Sequence, residues 1–276
     1  MPENALGPLP PPSIVAFGTR ERSRDLLKRS FPRRRGRLVL VRSRSEALEA
    51  IRASVTDAVI VDLSPATDES WGVATLAREF PSIPFFALAP LRPAEAPHVA
   101  RACTELEFAD LLVEGMEDAL QRELVLPQTF TVRFAATLRD AADPLGLHSE
   151  LQRAVWRLII AHGGRTVRTE AIAAEVQLTR EHLSRRFSTA GAPNLKRVID
   201  LARLLAAAEL AKNPGYDLPD VARVLGFASA SHLSSSCQRV IGVKSSSLAR
   251  LRPADLLDRF AKQGRGRSRS GVAGKG

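Results

Sequence analysis

The sequence has few cysteines and no long apolar run, and both absences narrow the class of protein. Cys103 and Cys237 are the two cysteines among 276 residues, so they predict neither a disulfide framework nor a metal site. No apolar run reaches the roughly 18 residues that a membrane-spanning helix needs. The opening MPENALGPLPPP lacks the basic start and apolar core of a secretory signal. We therefore expect a cytoplasmic protein that holds no metal and no cofactor and does not contact a membrane.

Positive charge is concentrated in the second half of the chain. The net charge is +10, yet residues 1–146 hold 18 Lys and Arg against 20 Asp and Glu, while residues 147–276 hold 22 against 10. This asymmetry favours a polyanionic partner, because each phosphate that a cation neutralises releases condensed counterions. The alternative is a basic surface that is merely solvated.

Residues 13–124 alternate short apolar segments with helical ones. The apolar segments predict five strands, at 13–18, 37–41, 57–64, 83–90 and 108–113. Short apolar strands that alternate with helices predict a parallel sheet covered on both faces. Right-handed crossovers make this a doubly wound, five-stranded α/β domain. Around it, the Pro-rich residues 1–12 predict a disordered leader, and turn signals predict a linker over 125–146.

This order of elements resembles the receiver domain of bacterial response regulators, which has a flavodoxin-like fold. The resemblance implies that Asp62, which ends the third strand in VIVDLSP, is the candidate phospho-acceptor. The rest of the family's site is missing. FGTR at 17–20 replaces an acidic pair, Ala89 replaces a Thr or Ser, and Glu114 stands near the position of a Lys.

One carboxylate without partners holds Mg²⁺ poorly, and phosphoryl transfer without the metal and the Lys loses its charge stabilisation. The sequence therefore predicts a degenerate receiver that binds a partner or a second copy of the chain. Two alternatives stay open for Asp62: a functional phosphorylation switch, and a carboxylate that hydrogen-bonds a loop at the edge of the sheet.

Two copies of one pattern lie about fifty residues apart, at 169–187 and 218–237. Each copy has a short helix with a small residue, Ala173 or Ala222, then a tight turn near Gln177 or Gly226, then a second helix that starts on a polar cap. A short helix, a turn of three or four residues and a second helix form a helix-turn-helix, whose second helix enters the major groove.

Residues 147–252 resemble the AraC/XylS family of transcriptional regulators nearly end to end. An amphipathic opening helix at 150–162 ends at Gly163 and Gly164, and a long helix at 194–213 carries Arg203 in the family's R-L-x-x-A context. VARVLGF matches the family's I-A-x-x-x-G-F. The resemblance implies an all-α domain with two helix-turn-helix units that read promoter DNA, with RNA polymerase as a candidate partner. The Gly/Ser-rich basic tail, 253–276, predicts disorder.

In the first reading helix, the pattern makes Thr179 the N-cap and turns Leu183 and Phe187 to the core. The resemblance places the remaining polar residues toward the bases. The candidate base-facing residues are Arg180, Glu181, Ser184 and Arg185 in the first reading helix, and Ala230, Ser231, His232 and Ser235 in the second. Arg185 suits guanine and Glu181 suits cytosine N4, although their spacing also suits a surface ion pair.

The second reading helix is poorer in long side chains. Ser229 is the predicted cap, and Cys237 stands where the family has a core Phe, so a small buried hydrophobe is expected there. The first unit is therefore expected to read sequence, while the second mainly docks on the DNA backbone through N-terminal amides and hydroxyls. Eight residues are candidate phosphate contacts: Arg165, Arg168, Thr179, Lys196, Arg197, Ser229, Arg239 and Lys244. For the six cations among them, an ordinary solvated charge is the alternative.

A DNA-binding regulator is thus the leading hypothesis, with the front domain controlling dimerisation or receiving a signal. An enzyme is not expected. Some AraC-type domains are fused to DNA-repair modules with a reactive Cys in a Pro-Cys-His-Arg setting, but Cys103 lies in RACTEL. The first turn, GTRERS, contains neither G-x-G-x-x-G nor a P-loop. Two alternatives remain: a regulator switched by phosphorylation at Asp62, and a protein-interaction module whose DNA binding has decayed.

Overall fold

The computed structural model of the protein describes residues 10–64, 67–90, 92 and 96–269. Its internal contacts divide into two compact units. The α/β unit contains Pro11–Arg133 together with Asn213–Asp220. The helical unit contains Phe134–Lys212 and, among the described residues, 221–269.

The α/β unit is built on a five-stranded parallel sheet, as the sequence predicts. Its strands are β1 (Ser13–Phe17), β2 (Arg37–Val41), β3 (Ala58–Asp62), β4 (Phe85–Ala89) and β5 (Asp110–Val113). They lie in the order β2-β1-β3-β4-β5, and every neighbouring pair is parallel. All positions of β1, β3 and β4 are buried, because helices cover both faces. In this order the connections reverse direction between β1 and β3, where the carboxyl ends of the strands form a crevice.

Six helices accompany these strands. They are α1 (Glu21–Ser30), α2 (Arg44–Ala53), α3 (Asp68–Ala74), α4 (Leu76–Glu79), α5 (Ala96–Glu105) and α6 (Asp118–Val125). One face of the sheet forms a core with α1, in which Ile14, Ile60 and Phe86 pack with Leu27 and Phe31. The N-cap of α2 is Ser43, whose hydroxyl accepts from the backbone N of Glu46 at 3.1 Å.

The segment predicted as a linker, 125–146, is folded. It contains α7 (Phe130–Leu138), with short 3-10 turns at Leu126–Gln128 and Arg139–Ala142. Phe130, Phe134 and Leu138 are all buried. Their spacing of four residues places them on one helix face, and the turn signals at the end of the segment obscured this pattern.

The helical unit holds both predicted helix-turn-helix motifs. Its helices are α8 (Glu150–Ile160), α9 (Thr169–Glu175), α10 (Arg180–Phe187), α11 (Leu195–Leu210), α12 (Leu218–Val224), α13 (Ala230–Ile241) and α14 (Pro253–Arg269), although α12 begins within the α/β unit's Asn213–Asp220. Most of α11 is buried, which is typical of a helix at the centre of a bundle. Gly164 has a φ of +79°, and a Cβ there would lie 2.2 Å from Ala206 Cβ, so glycine is required after α8.

The structure corrects the prediction that residues 253–276 are a disordered tail. Helix α14 occupies Pro253–Arg269, and its Leu256 and Phe260 are buried. The spacing of these two residues suits one helix face, but the Gly- and Arg-rich composition that follows hid it. Residues 270–276 lie outside the described residues, as do residues 1–9 of the predicted leader. Pro12, at the end of that leader, is ordered: its carbonyl accepts from Arg37 N at 2.8 Å.

No helix among the described residues is long and apolar enough to cross a membrane.

Candidate nucleic-acid interface

The first helix-turn-helix is held by its turn and its cap. Gln177 adopts a left-handed conformation with a φ of +55°, and Leu178 N donates to Ala173 O at 2.9 Å to close the end of α9. Thr179 then caps α10, its hydroxyl accepting from His182 N at 3.2 Å. Because these bonds satisfy the backbone at both sides of the turn, the direction in which α10 leaves it is well defined.

Helix α10 exposes the residues that the sequence assigns to DNA bases. Leu183 and Phe187 are fully buried, so the opposite face of α10 is accessible. Arg180, Glu181 and Arg185 are exposed on that face, and Ser184 is half-buried there. Arg186 is also exposed on α10, and sequence reasoning did not select it.

The ion pairs of α10 show whether Glu181 and Arg185 pair with each other, which is the alternative to contact with DNA bases. Arg180 Nη1 lies 3.0 Å from Glu170 Oε1 of α9, with both side chains largely exposed. Within the described part of the chain, no ion pair joins Glu181 to Arg185. The surface pairing that their spacing allowed is therefore not formed, and both side chains are accessible to a ligand.

The second helix-turn-helix repeats the same arrangement. Phe227 N donates to Ala222 O at 2.8 Å, and Gly226 has a φ of +68°. Ser229 caps α13 by accepting from His232 N at 3.1 Å. His232, a candidate base-facing residue, also accepts from Ala228 N through Nδ1 at 3.3 Å. Its side chain therefore contributes to the start of the helix.

The remaining candidates on α13 are short side chains. Ser231 and Ser235 are exposed, and Ala230 is half-buried. Cys237 is fully buried, as expected of a small hydrophobe, and burial raises the pKa of its thiol to about 11. Positions 230, 231 and 235 of α13 therefore offer one methyl group and two hydroxyls.

Arg203 of α11 stabilises the turn of the second unit. Its Nη2 donates to Leu225 O at 2.9 Å, and its guanidinium lies 4.0 Å from the centre of the Phe227 ring. Burial lowers the pKa of Arg203. The sequence identified this residue through a family motif alone, since a contact between α11 and a turn 22 residues later leaves no local pattern.

The candidate phosphate contacts fall into two groups. Arg168, Lys196 and Lys244 are exposed at or near helix starts, while the hydroxyls of Thr179 and Ser229 are engaged as caps. The others already contact the protein: Arg165 Nη1 donates to His162 O at 3.4 Å, Arg197 stacks 4.6 Å from the centre of the Phe260 ring, and Arg239 pairs with Asp200 at 3.1 Å.

A cleft of about 330 Å³ lies beside the first reading helix. Its cations are Arg180, Lys196, Arg197 and Arg239, and its one carboxylate is that of Asp200. The start of α11 also lines it, where the Asn194 side chain accepts from Arg197 N at 2.8 Å. The cleft is therefore electropositive and adjoins the exposed face of α10.

In the α/β unit, a salt bridge occupies the crevice at the carboxyl ends of the strands. Arg20 holds Asp62 through two hydrogen bonds, Nε to Oδ2 at 3.0 Å and Nη2 to Oδ1 at 2.7 Å, and also pairs with Glu114. The side chains of Asp62 and Glu114 are 1% and 4% exposed. Asp62 Oδ1 also accepts from Ser64 N at 3.0 Å, which is the loop contact that the sequence left open.

The signs of charge in this crevice are reversed relative to the receiver pattern. A cation, Arg20, follows β1, where that pattern has acids, and an acid, Glu114, follows β5, where it has a Lys. Burial lowers the pKa of Arg20, but hydrogen bonds to Asp62 and Glu114 outweigh this effect, so its pKa is raised overall. Arg20 therefore remains charged and neutralises much of the crevice.

Comparison with known proteins supports the assignment of the helical unit. A family model described as a helix-turn-helix domain matches residues 172–250, which contain α10 and α13. This match confirms the resemblance to AraC-type helix-turn-helix domains over that segment. Among solved structures, full-length FixJ from B. japonicum is 16% identical with a TM-score of 0.37, covering 83% of this chain and 96% of that chain. No curated protein matches the sequence.

Proposed function

We propose that the protein binds promoter DNA in the major groove through α10 and α13 and thereby regulates transcription. The coarser assignment, a DNA-binding regulator, rests on the helix-turn-helix match and on the geometry of the two motifs. The observation that carries the proposal is a pair of capped helices, each with one face buried and the other exposed. Major-groove readers on one frame reach successive turns of a duplex, about 34 Å apart.

The two reading helices have different roles in this proposal. Arg185 donates two hydrogen bonds to guanine O6 and N7, and Glu181 accepts from cytosine N4. Arg180 reaches the same groove when its ion pair with Glu170 opens and its guanidinium binds a base or a phosphate instead. On α13, Ser231 and Ser235 hold the DNA backbone with the first amides of the helix. The first unit therefore reads sequence, and the second mainly fixes position.

Phosphate contacts supply most of the affinity. The exposed Arg168, Lys196 and Lys244 act directly, and Arg239 is shared between Asp200 and the backbone. Arg197 supports the interface from behind by its contact with Phe260. RNA polymerase and a second copy of the chain, bound through the α/β unit, are the proposed protein partners at the promoter.

We also propose that the α/β unit is a pseudo-receiver that does not depend on phosphorylation. Phosphoryl transfer to a carboxylate requires a metal ion and added positive charge at the reacting oxygens. The Arg20 guanidinium already engages both Asp62 oxygens. Incubation with acetyl phosphate and Mg²⁺, followed by intact-mass analysis, should show no phosphorylated form; an added phosphate that Asp62→Asn abolishes would favour the response-regulator alternative instead.

DNA binding is tested with the full chain and duplexes selected from a random pool. Enriched duplexes should bind with an affinity that falls steeply with salt, by about 0.9 logarithmic units per logarithmic unit of salt for each phosphate contact. Arg185→Ala should lose the preference for one base pair within the selected sequence. Arg153→Ala serves as the matched control, since Arg153 is an exposed arginine on α8 that pairs with Asp143.

The outcomes separate the two classes of function. Salt-dependent, sequence-selective binding that Arg185→Ala weakens and Arg153→Ala leaves intact supports the proposal. No enrichment of any duplex would refute it and would favour a protein-interaction module.

A further inference from the structure

The stretch of chain between α11 and α12 belongs to the α/β unit. Asn213–Asp220, called the connector below, clusters with Pro11–Arg133, whereas Phe134–Lys212 and the chain from Val221 onward form the helical unit. The covalent path from the first helix-turn-helix to the second therefore runs through the α/β unit. A loop that packs only on the helical unit could join the two motifs with the same number of residues, yet the connector packs on the α/β unit.

The first anchor of the connector is Asn213. Its side-chain Oδ1 accepts from Ser82 N at 2.8 Å, and its Nδ2 donates to Ser82 Oγ at 2.7 Å. Asn213 is fully buried. Both ends of the amide are thus matched to one residue, and a side chain with different donors would leave buried polar groups without partners.

The second anchor is the pair Gly215 and Tyr216. Gly215 N donates to Glu79 O at 2.9 Å, and a Cβ on Gly215 would lie 2.4 Å from the Phe80 ring. The Phe80 and Tyr216 rings meet edge to face at 4.8 Å, and Tyr216 Oη donates to Ile51 O at 3.0 Å. Burial raises the pKa of Tyr216, so its hydroxyl remains a donor.

The third anchor is Arg52 on α2. Its Nε and Nη2 donate to Gly215 O at 3.1 and 2.7 Å, and its Nε lies 3.3 Å from Asp220 Oδ2. Asp220 in turn belongs to the first turn of α12, where its backbone N donates to Asp217 Oδ1 at 2.7 Å. One guanidinium therefore ties the middle of the connector to the start of the second helix-turn-helix.

Resting on the DNA-binding function proposed above, we propose that the α/β unit sets the spacing of the two reading helices through this anchored connector. The three anchors hold the connector, and with it the start of α12, in place before DNA is bound. Pre-ordering a segment raises affinity because no freedom is lost on binding. A ligand or partner that binds the α/β unit and shifts α2 or the Glu79–Ser82 turn would then change the affinity for DNA.

The test compares two arginines of the α/β unit. Arg52→Ala releases the connector, whereas Arg101→Ala removes an exposed arginine of α5 that pairs with Glu105 at 2.9 Å. Each variant of the full chain is titrated with a duplex that wild-type protein has selected from a random pool, and with the same duplex after either half is scrambled. Tyr216→Phe, which removes one hydroxyl and keeps the ring, is the milder second variant in case Arg52→Ala does not fold.

We expect Arg52→Ala and Tyr216→Phe to bind the intact duplex at least about fivefold more weakly than wild type, the lower range of allosteric coupling. Binding to the half-scrambled duplexes should be unchanged, and amide hydrogen exchange should quicken within residues 213–220. Arg101→Ala should match wild type on every duplex. Unchanged or tighter binding of the intact duplex by both connector variants would overturn the inference while leaving the DNA-binding function standing. If wild-type protein selects no duplex, the proposed function fails, and the inference fails with it.

Discussion

The two reading helices share one framework and differ in chemistry. Thr179 and Ser229, fifty positions apart, are both N-caps that accept from the backbone N of a histidine three residues on, at 3.2 and 3.1 Å. Leu183 and Leu233 are both fully buried one residue later. The difference lies at four other positions: α10 carries Arg180, Glu181, Arg185 and Arg186, whereas α13 carries one alanine and three serines at the equivalent positions 230, 231, 235 and 236.

The difference shows that folding and reading place separate demands on a helix-turn-helix. The cap, the buried leucine and the bond that closes the turn decide where the helix lies. The exposed positions are free to vary without loss of the fold. Under the function proposed above, we expect α13 to keep its position on DNA although it carries few side chains that distinguish bases. The four tests below probe the two properties separately.

The largest expected difference lies in the cores. Phe187 and Cys237 occupy equivalent, fully buried positions. Phe187→Ala should lower the free energy of unfolding by about 3–5 kcal/mol, and Cys237→Ala by about 1 kcal/mol, because fewer buried atoms are removed. Chemical denaturation of each variant measures both values. Equal losses would mean that the first unit is no better packed than the second.

The next difference concerns recognition. Arg185→Ala should weaken binding of a selected duplex by about 1–3 kcal/mol, the range for one bidentate contact to a base. Ser235→Ala, at the equivalent place on α13, should weaken binding by no more than about 1 kcal/mol, because a serine hydroxyl makes one neutral hydrogen bond to the DNA backbone. Fluorescence anisotropy on one duplex compares them. A larger effect from Ser235→Ala would reverse the roles assigned to the two helices.

The turns provide a third comparison. Both Gln177 and Gly226 have left-handed backbones, with φ of +55° and +68°. Gly226→Ala should destabilise by at least about 1–2 kcal/mol, since a Cβ would also lie 2.7 Å from Thr166 Oγ1. Gln177→Gly should be neutral or stabilising by up to about 1 kcal/mol, as it relieves the same strain. Thermal unfolding of the pair tests this; a stabilised Gly226→Ala would contradict the geometry.

Patterns local in sequence were sufficient for much of the architecture. The apolar run that became β3 is buried at every position, and the caps Thr179 and Ser229 were predicted because polar caps precede amphipathic segments. The pair Leu256 and Phe260 was missed, although their spacing is helical. Two apolar residues beside a Gly- and Arg-rich stretch are too few to outweigh composition, and α14 forms because α11 and α13 supply a surface for them.

Contacts between distant residues could not be predicted. The sequence showed that Arg20 and Glu114 stand at the places of missing receiver residues, but not that they pair with each other and with Asp62. That contact depends on the sheet order, which brings the ends of β1, β3 and β5 to one edge. The bonds from Arg52 to Gly215 join residues 163 positions apart, and no periodicity in the sequence records such a pair.

The smallest expected effects lie at the two caps, and there the units should behave alike. Thr179→Ala and Ser229→Ala should each lower the free energy of unfolding by about 1 kcal/mol, because each leaves one backbone N–H at a helix start without its hydroxyl partner. Asparagine or aspartate at either position should restore most of the loss, and aspartate should weaken DNA binding because it adds a negative charge at a helix start that faces phosphates. Denaturation and anisotropy on the same six variants separate the two effects. If the aspartate variants bound DNA as tightly as the asparagine variants, neither helix start would approach the phosphate backbone, and the similarity of the two frameworks would reflect packing alone.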